Sequence, residues 1–127
     1  MSYELIWEDR GVLFQFWDVV SGDELVQSNL DVYADPRFES IECELVIFSD
    51  SVEFAASSES VRRVAKMDAT ASQRNPNIVV AIVASQLVIQ GLVNLYRLQS
   101  DFEGSTWETE FFETVDEART WIARKSN

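Results

Sequence analysis

Histidine is absent from these 127 residues, cysteine occurs once, proline twice and glycine four times. Without histidine the chain lacks the usual general base, the commonest metal ligand and the usual partner of a serine or cysteine nucleophile, which removes most hydrolytic chemistry. The lone Cys43 excludes an internal disulfide. Flanked by Glu42 and Glu44, its thiol is expected to titrate high, so it reads as a strand-entry residue and not as a nucleophile. Gly11, Gly22, Gly91 and Gly104 are scattered, and no glycine-rich loop cradles a phosphate. Positive charge is scarce too. Ten Lys and Arg against 22 Asp and Glu leave a net charge of −12, which opposes nucleic acid and anionic membrane surfaces alike. Neither a cofactor nor a metal is expected.

No long apolar run survives inspection. Between Asn75 and Ser100 the only charge is Arg97, but Ser85-Gln86 breaks the stretch into a β-branched run and a segment carrying Gln90 and Asn94, so no membrane span is expected. Glu4 and Glu8 interrupt the first apolar residues, which argues against a secretory leader and for the cytoplasm.

What the chain has is apolar mass. Hydrophobic residues make up 46%, including eight Phe, four Trp and three Tyr, far more than an acidic disordered tail carries; one domain over 1–127 is expected. Tyr3 to Glu8 alternates, Arg10-Gly11 offers a tight connection, and Val12 to Asp18 is aromatic-rich, together a β-hairpin. Ser21-Gly-Asp-Glu24 reads as a capping box before a helix that ends ahead of Pro36. Glu44 to Ser49 is a third strand; Val52 to Phe54 prolongs it or forms a turn.

Ser57-Ser58-Glu59 starts a second helix with Val61, Val64, Ala65 and Met67 inward and Arg62, Arg63 and Lys66 outward. Ile78 to Ala84 has no polar residue, as a strand covered on both faces requires. A helix over Gln86 to about Ser100, an alternating strand over Trp107 to Glu113 and a helix opened by the capping box Thr114-Val-Asp-Glu117 complete the order ββαβαβαβα. An α/β domain follows: a mixed, mostly parallel five-stranded sheet with an N-terminal hairpin and about four helices.

Two features stand above background. In the third helix Leu87, Val88, Ile89, Leu92, Val93, Leu95, Tyr96 and Leu98 cover more of the circumference than one sheet-facing stripe needs. A neighbouring helix, a homodimer seam or the wall of an apolar pocket would account for this. Gly91 in mid-helix suggests close approach of another backbone or a ligand. The candidate face is therefore Val88, Gly91, Leu92, Leu95 and Tyr96. Second, Ser57 and Ser58 stand at a helix N-terminus, where ordinary capping explains them and where a phosphate would also be stabilised. Glu108 and Glu110, two apart on a strand, are the carboxylate pair an enzyme would use, although an exposed strand face predicts the same pattern.

The order of elements, with Leu45-Val-Ile-Phe-Ser-Asp-Ser-Val-Glu-Phe-Ala-Ala-Ser-Ser58 leading into a helix, resembles the STAS and SpoIIAA-like group over most of the chain. In the anti-sigma-factor antagonists of that group a serine at this helix start is phosphorylated by a partner kinase, and the resemblance places Ser57 there. Ala56 stands where those proteins carry aspartate, and Ser58 where a small residue or glycine follows. Val80-Ala-Ile-Val-Ala84, Gly91-Leu92 to Tyr96, and Phe112 to Trp121 are similar to the uncharacterised bacterial SpoIIAA-like branch. The resemblance implies a SpoIIAA-like (STAS-like) fold and a non-enzymatic regulatory or protein-interaction module, dimeric, with a protein partner. The alternative is a carrier or sensor of a small apolar ligand, its pocket walled by Leu92, Leu95, Tyr96 and aromatics such as Phe14, Phe16 or Trp17.

Overall fold

The computed structural model describes residues 2–125. Strands β1 (Tyr3–Glu8) and β2 (Gly11–Phe16) pair antiparallel, with Glu8 opposite Gly11 across the turn Asp9-Arg10. Gly11 thus opens the second strand instead of making the turn. A Cβ there would lie 2.5 Å from Cys43 Sγ, so the close neighbouring strand demands glycine. The second strand stops short of Asp18, whose φ of 55° bends the chain into the left-handed region that Asp tolerates better than most residues.

Beyond that bend, β3 (Val19–Val20) precedes α1 (Gly22–Ala34), a single 3₁₀ turn at Pro36–Glu39, β4 (Cys43–Phe48) and β5 (Glu53–Phe54). β5 neither prolongs β4 nor stays a turn: it pairs with β3 as a separate two-stranded ribbon. Then come α2 (Ser58–Ala71), β6 (Val79–Val83), α3 (Leu87–Phe102), β7 (Glu108–Phe112) and α4 (Val115–Lys125).

The main sheet has five strands in the order β1-β2-β4-β6-β7, parallel except at β1. Alternation along each strand sends Phe14, Phe16, Val46, Phe48, Val80 and Ile82 to one face, under α1, α2 and α3. The other face carries Leu45, Ala81 and Val83, buried against Ala118, Trp121 and Ile122 of α4. One face is thus roofed by three helices and the other by one.

The helix starts follow from their caps. Ser57 Oγ accepts the Ser60 N–H at 3.1 Å, and Thr114 Oγ1 accepts the Glu117 N–H at 3.2 Å while donating to the Glu117 carboxylate. At α1 the box is half-formed: Ser21 Oγ accepts from Glu24 N, but the Glu24 carboxylate turns to the Ser2 N–H instead. Among the described residues no helix is long and apolar enough to cross a membrane.

Candidate functional site

Between the sheet and its three-helix roof lies a cavity of about 70 Å³. Its floor is Phe14 and Phe16 from β2, Glu44, Val46 and Phe48 from β4, and Val80 and Ile82 from β6. The roof comes from Leu25 and Asn29 of α1, Val61, Val64 and Asp68 of α2, and Ile89, Leu92, Val93 and Tyr96 of α3, with Phe54 of β5 at the edge. Val46 sits in the central strand and still keeps part of its surface open; so do Leu92 and Phe54. Open surface on a central-strand side chain means that the roof does not close down on the floor.

Two acids enter this apolar space. On β4, positions 44, 46 and 48 share one face, which places Glu44 opposite Val12 and Val80 in the sheet, only 1% exposed. Its Oε2 is buried without a hydrogen-bond partner. Asp68 comes from the roof. It stands seven residues after Val61 and four after Val64, on the inward stripe of α2, and is 3% exposed. Tyr96 donates its phenolic O–H to Asp68 Oδ2, while Asp68 Oδ1 has no partner. Burial pushes the Glu44 carboxyl up to about 8. Burial also pushes Asp68 up to about 7, against a smaller lowering by the Tyr96 hydrogen bond. The Tyr96 phenol is raised first by burial and then by the charge of Asp68. Burial thus favours the protonated form of both acids.

The residues expected from sequence divide sharply. Leu92, Tyr96, Phe14 and Phe16 line the cavity, whereas Leu95 is half-buried against the core without lining it and Trp17 also lies outside it. Val88 is 60% exposed on the far side of α3. Gly91 is exposed as well, and a Cβ placed there meets no atom of this chain within 4 Å, so no backbone of the domain itself approaches closely at this glycine. Among the described residues no helix covers the outer face of α3: Leu87 and Phe102 are each 83% exposed and Leu98 70%.

Ser57 and Ser58 are exposed at the α2 N-terminus, where Ser57 is the cap. On α2 itself Met67 is only half-buried, and the position pointing fully inward is Asp68. Glu108 and Glu110 occupy the sheet-edge strand β7 and are tied to separate partners, Glu108 to Lys125 at 2.7 Å and Glu110 to Arg97 at 3.5 Å; they form no shared cleft. Cys43 is half-buried and its thiol is pushed up to about 11, by burial first and then by Glu8, with Glu42 and Glu44 adding less.

Sequence reasoning missed both acids of the cavity. The signals were present: Glu44 alternates in step with Val46 and Phe48, and Asp68 falls on the helical stripe of Val61, Val64 and Ala65.

No family model matches this chain, and no curated protein matches it. Among solved structures it is similar to an uncharacterised protein of the DUF3478 family with a SpoIIAA-like fold from Shewanella loihica PV-4. That likeness covers 94% of this chain and 91% of the other at 14% identity, with a TM-score of 0.56. The fold of this domain is SpoIIAA-like.

Proposed function

We propose that this chain is a non-enzymatic binding module of the SpoIIAA-like fold, a carrier or sensor whose cavity takes a small, largely apolar ligand. The observation that carries this reading is the cavity under α1, α2 and α3, lined by two acids that each keep a buried oxygen without a hydrogen-bond partner among the described residues. Apolar walls with a few convergent polar groups are the usual make-up of a ligand site. At about 70 Å³ the space is well below that of drug-sized pockets, so the ligand is compact or extends out past Leu92 and Phe54. A cytoplasmic setting fits the unpaired Cys43.

Native mass spectrometry of gently purified protein tests the reading. A small bound mass, released on denaturation and missing from a Leu92→Trp variant that plugs the rim, is expected. Bare chain mass in every preparation, together with no response of cavity amides to a small neutral probe such as propan-1-ol, refutes it.

A second reading, a regulatory module acting through protein contacts, is favoured by the outer stripe of α3. Leu87, Gly91, Leu98 and Phe102 recur at helical spacing, and their large side chains lie open to solvent. On this reading the stripe packs on a second copy, and the exposed Ser57 is where a phosphate would act. Sedimentation equilibrium is expected to give twice the 14.5 kDa chain mass for the wild type and the single mass for Leu98→Glu. A monomeric wild type removes the second copy.

A further inference from the structure

We propose that the cavity is built for a small organic cation, an ammonium seated between Glu44 and Asp68 with its alkyl part against the aromatic wall; this rests on the ligand-binding reading above. The unsatisfied polar capacity is the starting point. Glu44 Oε2 and Asp68 Oδ1 are buried without partners, one from the floor and one from the roof. The other polar groups nearby are engaged. Asn29 Nδ2 donates to the Leu25 carbonyl at 2.9 Å, and its Oδ1 accepts from Tyr33 at 3.5 Å. The Tyr96 O–H is given to Asp68. What remains open is acceptor capacity on two acids, and a group with several N–H donors is what satisfies it.

Charge and shape narrow the class further. No Lys or Arg lines the cavity, so a cation entering it meets no like charge, and an anion finds no counter-charge. A hard metal ion is a poor occupant, because calcium takes six to eight oxygens and these walls offer two carboxyl groups among apolar side chains. Phe14, Phe16, Phe48, Phe54 and Tyr96 line the space, and aromatic faces attract ammonium ions. Phe48 anchors that wall, stacked on Phe16 at 5.0 Å and edge-on to Phe54 at 5.7 Å. The space is roughly half that of a cavity known to admit benzene, which limits the occupant to about four heavy atoms unless its tail leaves by the rim. The net charge of −12 draws cations towards the molecule as a whole.

Binding then displaces protons. Glu44 from β4, Asp68 from α2 and Tyr96 from α3 are the titratable groups facing the space. α1 contributes Asn29, and the strands beside Glu44 contribute only Val12 and Val80 at its level. An entering alkylammonium keeps its proton and favours both carboxylates, so the acid protons pass to solvent and binding tightens as pH rises.

The test uses the whole chain and two probes of equal size, propylammonium and propan-1-ol, followed by amide chemical shifts near neutral pH. Wild type is expected to bind propylammonium at least about tenfold tighter than propan-1-ol. Glu44→Gln and Asp68→Asn are expected to lose that preference while still binding propan-1-ol, which shows that the cavity remains formed. Equal or tighter binding of propan-1-ol by the wild type, or propylammonium shifts confined to surface amides, overturns the cation while leaving a neutral-ligand cavity in place. If neither probe moves the cavity amides, the ligand-binding reading falls as well.

Discussion

Glu44→Gln should change the pH dependence of stability more than its size. In the folded chain the Glu44 carboxyl is held at about 8, whereas in the unfolded chain it titrates near its ordinary value of about 4.3. A raised carboxyl means that between those values the folded state binds more protons than the unfolded state. Stability then falls as pH rises, by about 1.4 kcal/mol per pH unit for each such acid. Asp68, held at about 7, adds a second slope that ends earlier. From about pH 5 to about pH 8 Glu44 alone withdraws on the order of 3–4 kcal/mol, a large part of the ~5–15 kcal/mol typical of a domain.

The sequence makes this window unusually clean. It has no histidine, the side chain whose ordinary titration falls there. Urea unfolding followed by tryptophan fluorescence across the window gives the slope directly. Wild type should lose stability steadily towards pH 8, Glu44→Gln should lose only the part due to Asp68, and the double variant Glu44→Gln/Asp68→Asn should be flat. A flat wild-type profile, or the same slope in Glu44→Gln, refutes the assignment of these acids as buried and protonated.

The glycines give a paired prediction. Gly91→Ala should stabilise by roughly 0.5–1 kcal/mol, raising Tm by roughly 2–5 °C, because the site is open and only the helical cost of glycine is removed. Gly11→Ala should destabilise by roughly 1–3 kcal/mol, since the new methyl group meets Cys43 Sγ and the Cys43 carbonyl; thermal melts of the two variants should shift in opposite directions.

The elements were legible because each announces itself locally. Alternation marks β1 and β7, the capping serine and threonine mark α2 and α4, and the polar-free run marks β6 as covered on both faces. The cavity was half legible. Leu92, Tyr96, Phe14 and Phe16 were placed on it from apolar pattern alone, since large apolar side chains must face some interior. Within the domain nothing crowds Gly91, and a mid-helix glycine has the same sequence whether a neighbour crowds it or nothing does.

Glu44 and Asp68 were missed because the prior for a charged residue is exposure. Period decides against that prior: the alternate set 44, 46, 48 and the stripe 61, 64, 65, 68 each run through an acid, and both go to the interior. β4 has apolar side chains on both faces, so its sequence does not say which set lies under three helices and which under one.

Asp68 accepts the O–H of the buried Tyr96, whereas nothing in the fold asks for Glu44. The Glu44 position lies between Val12 and Val80 in the centre of a parallel sheet, where leucine or methionine would fill the same space without a desolvation cost. Buried acids elsewhere in proteins are usually paired, and a pair can be ascribed to specificity of folding. Here the second acid approaches from α2, carries no positive charge, and leaves an oxygen free, so the two do not neutralise one another. Two buried acids lining one cavity, each with an unsatisfied oxygen, therefore oppose folding locally, and the apolar remainder of the domain carries that burden. A cost of this kind, placed where a ligand can relieve it, separates a binding site from a packing defect. Relief is measurable as stabilisation: a cationic occupant should flatten the fall in stability towards pH 8, and a neutral one should not.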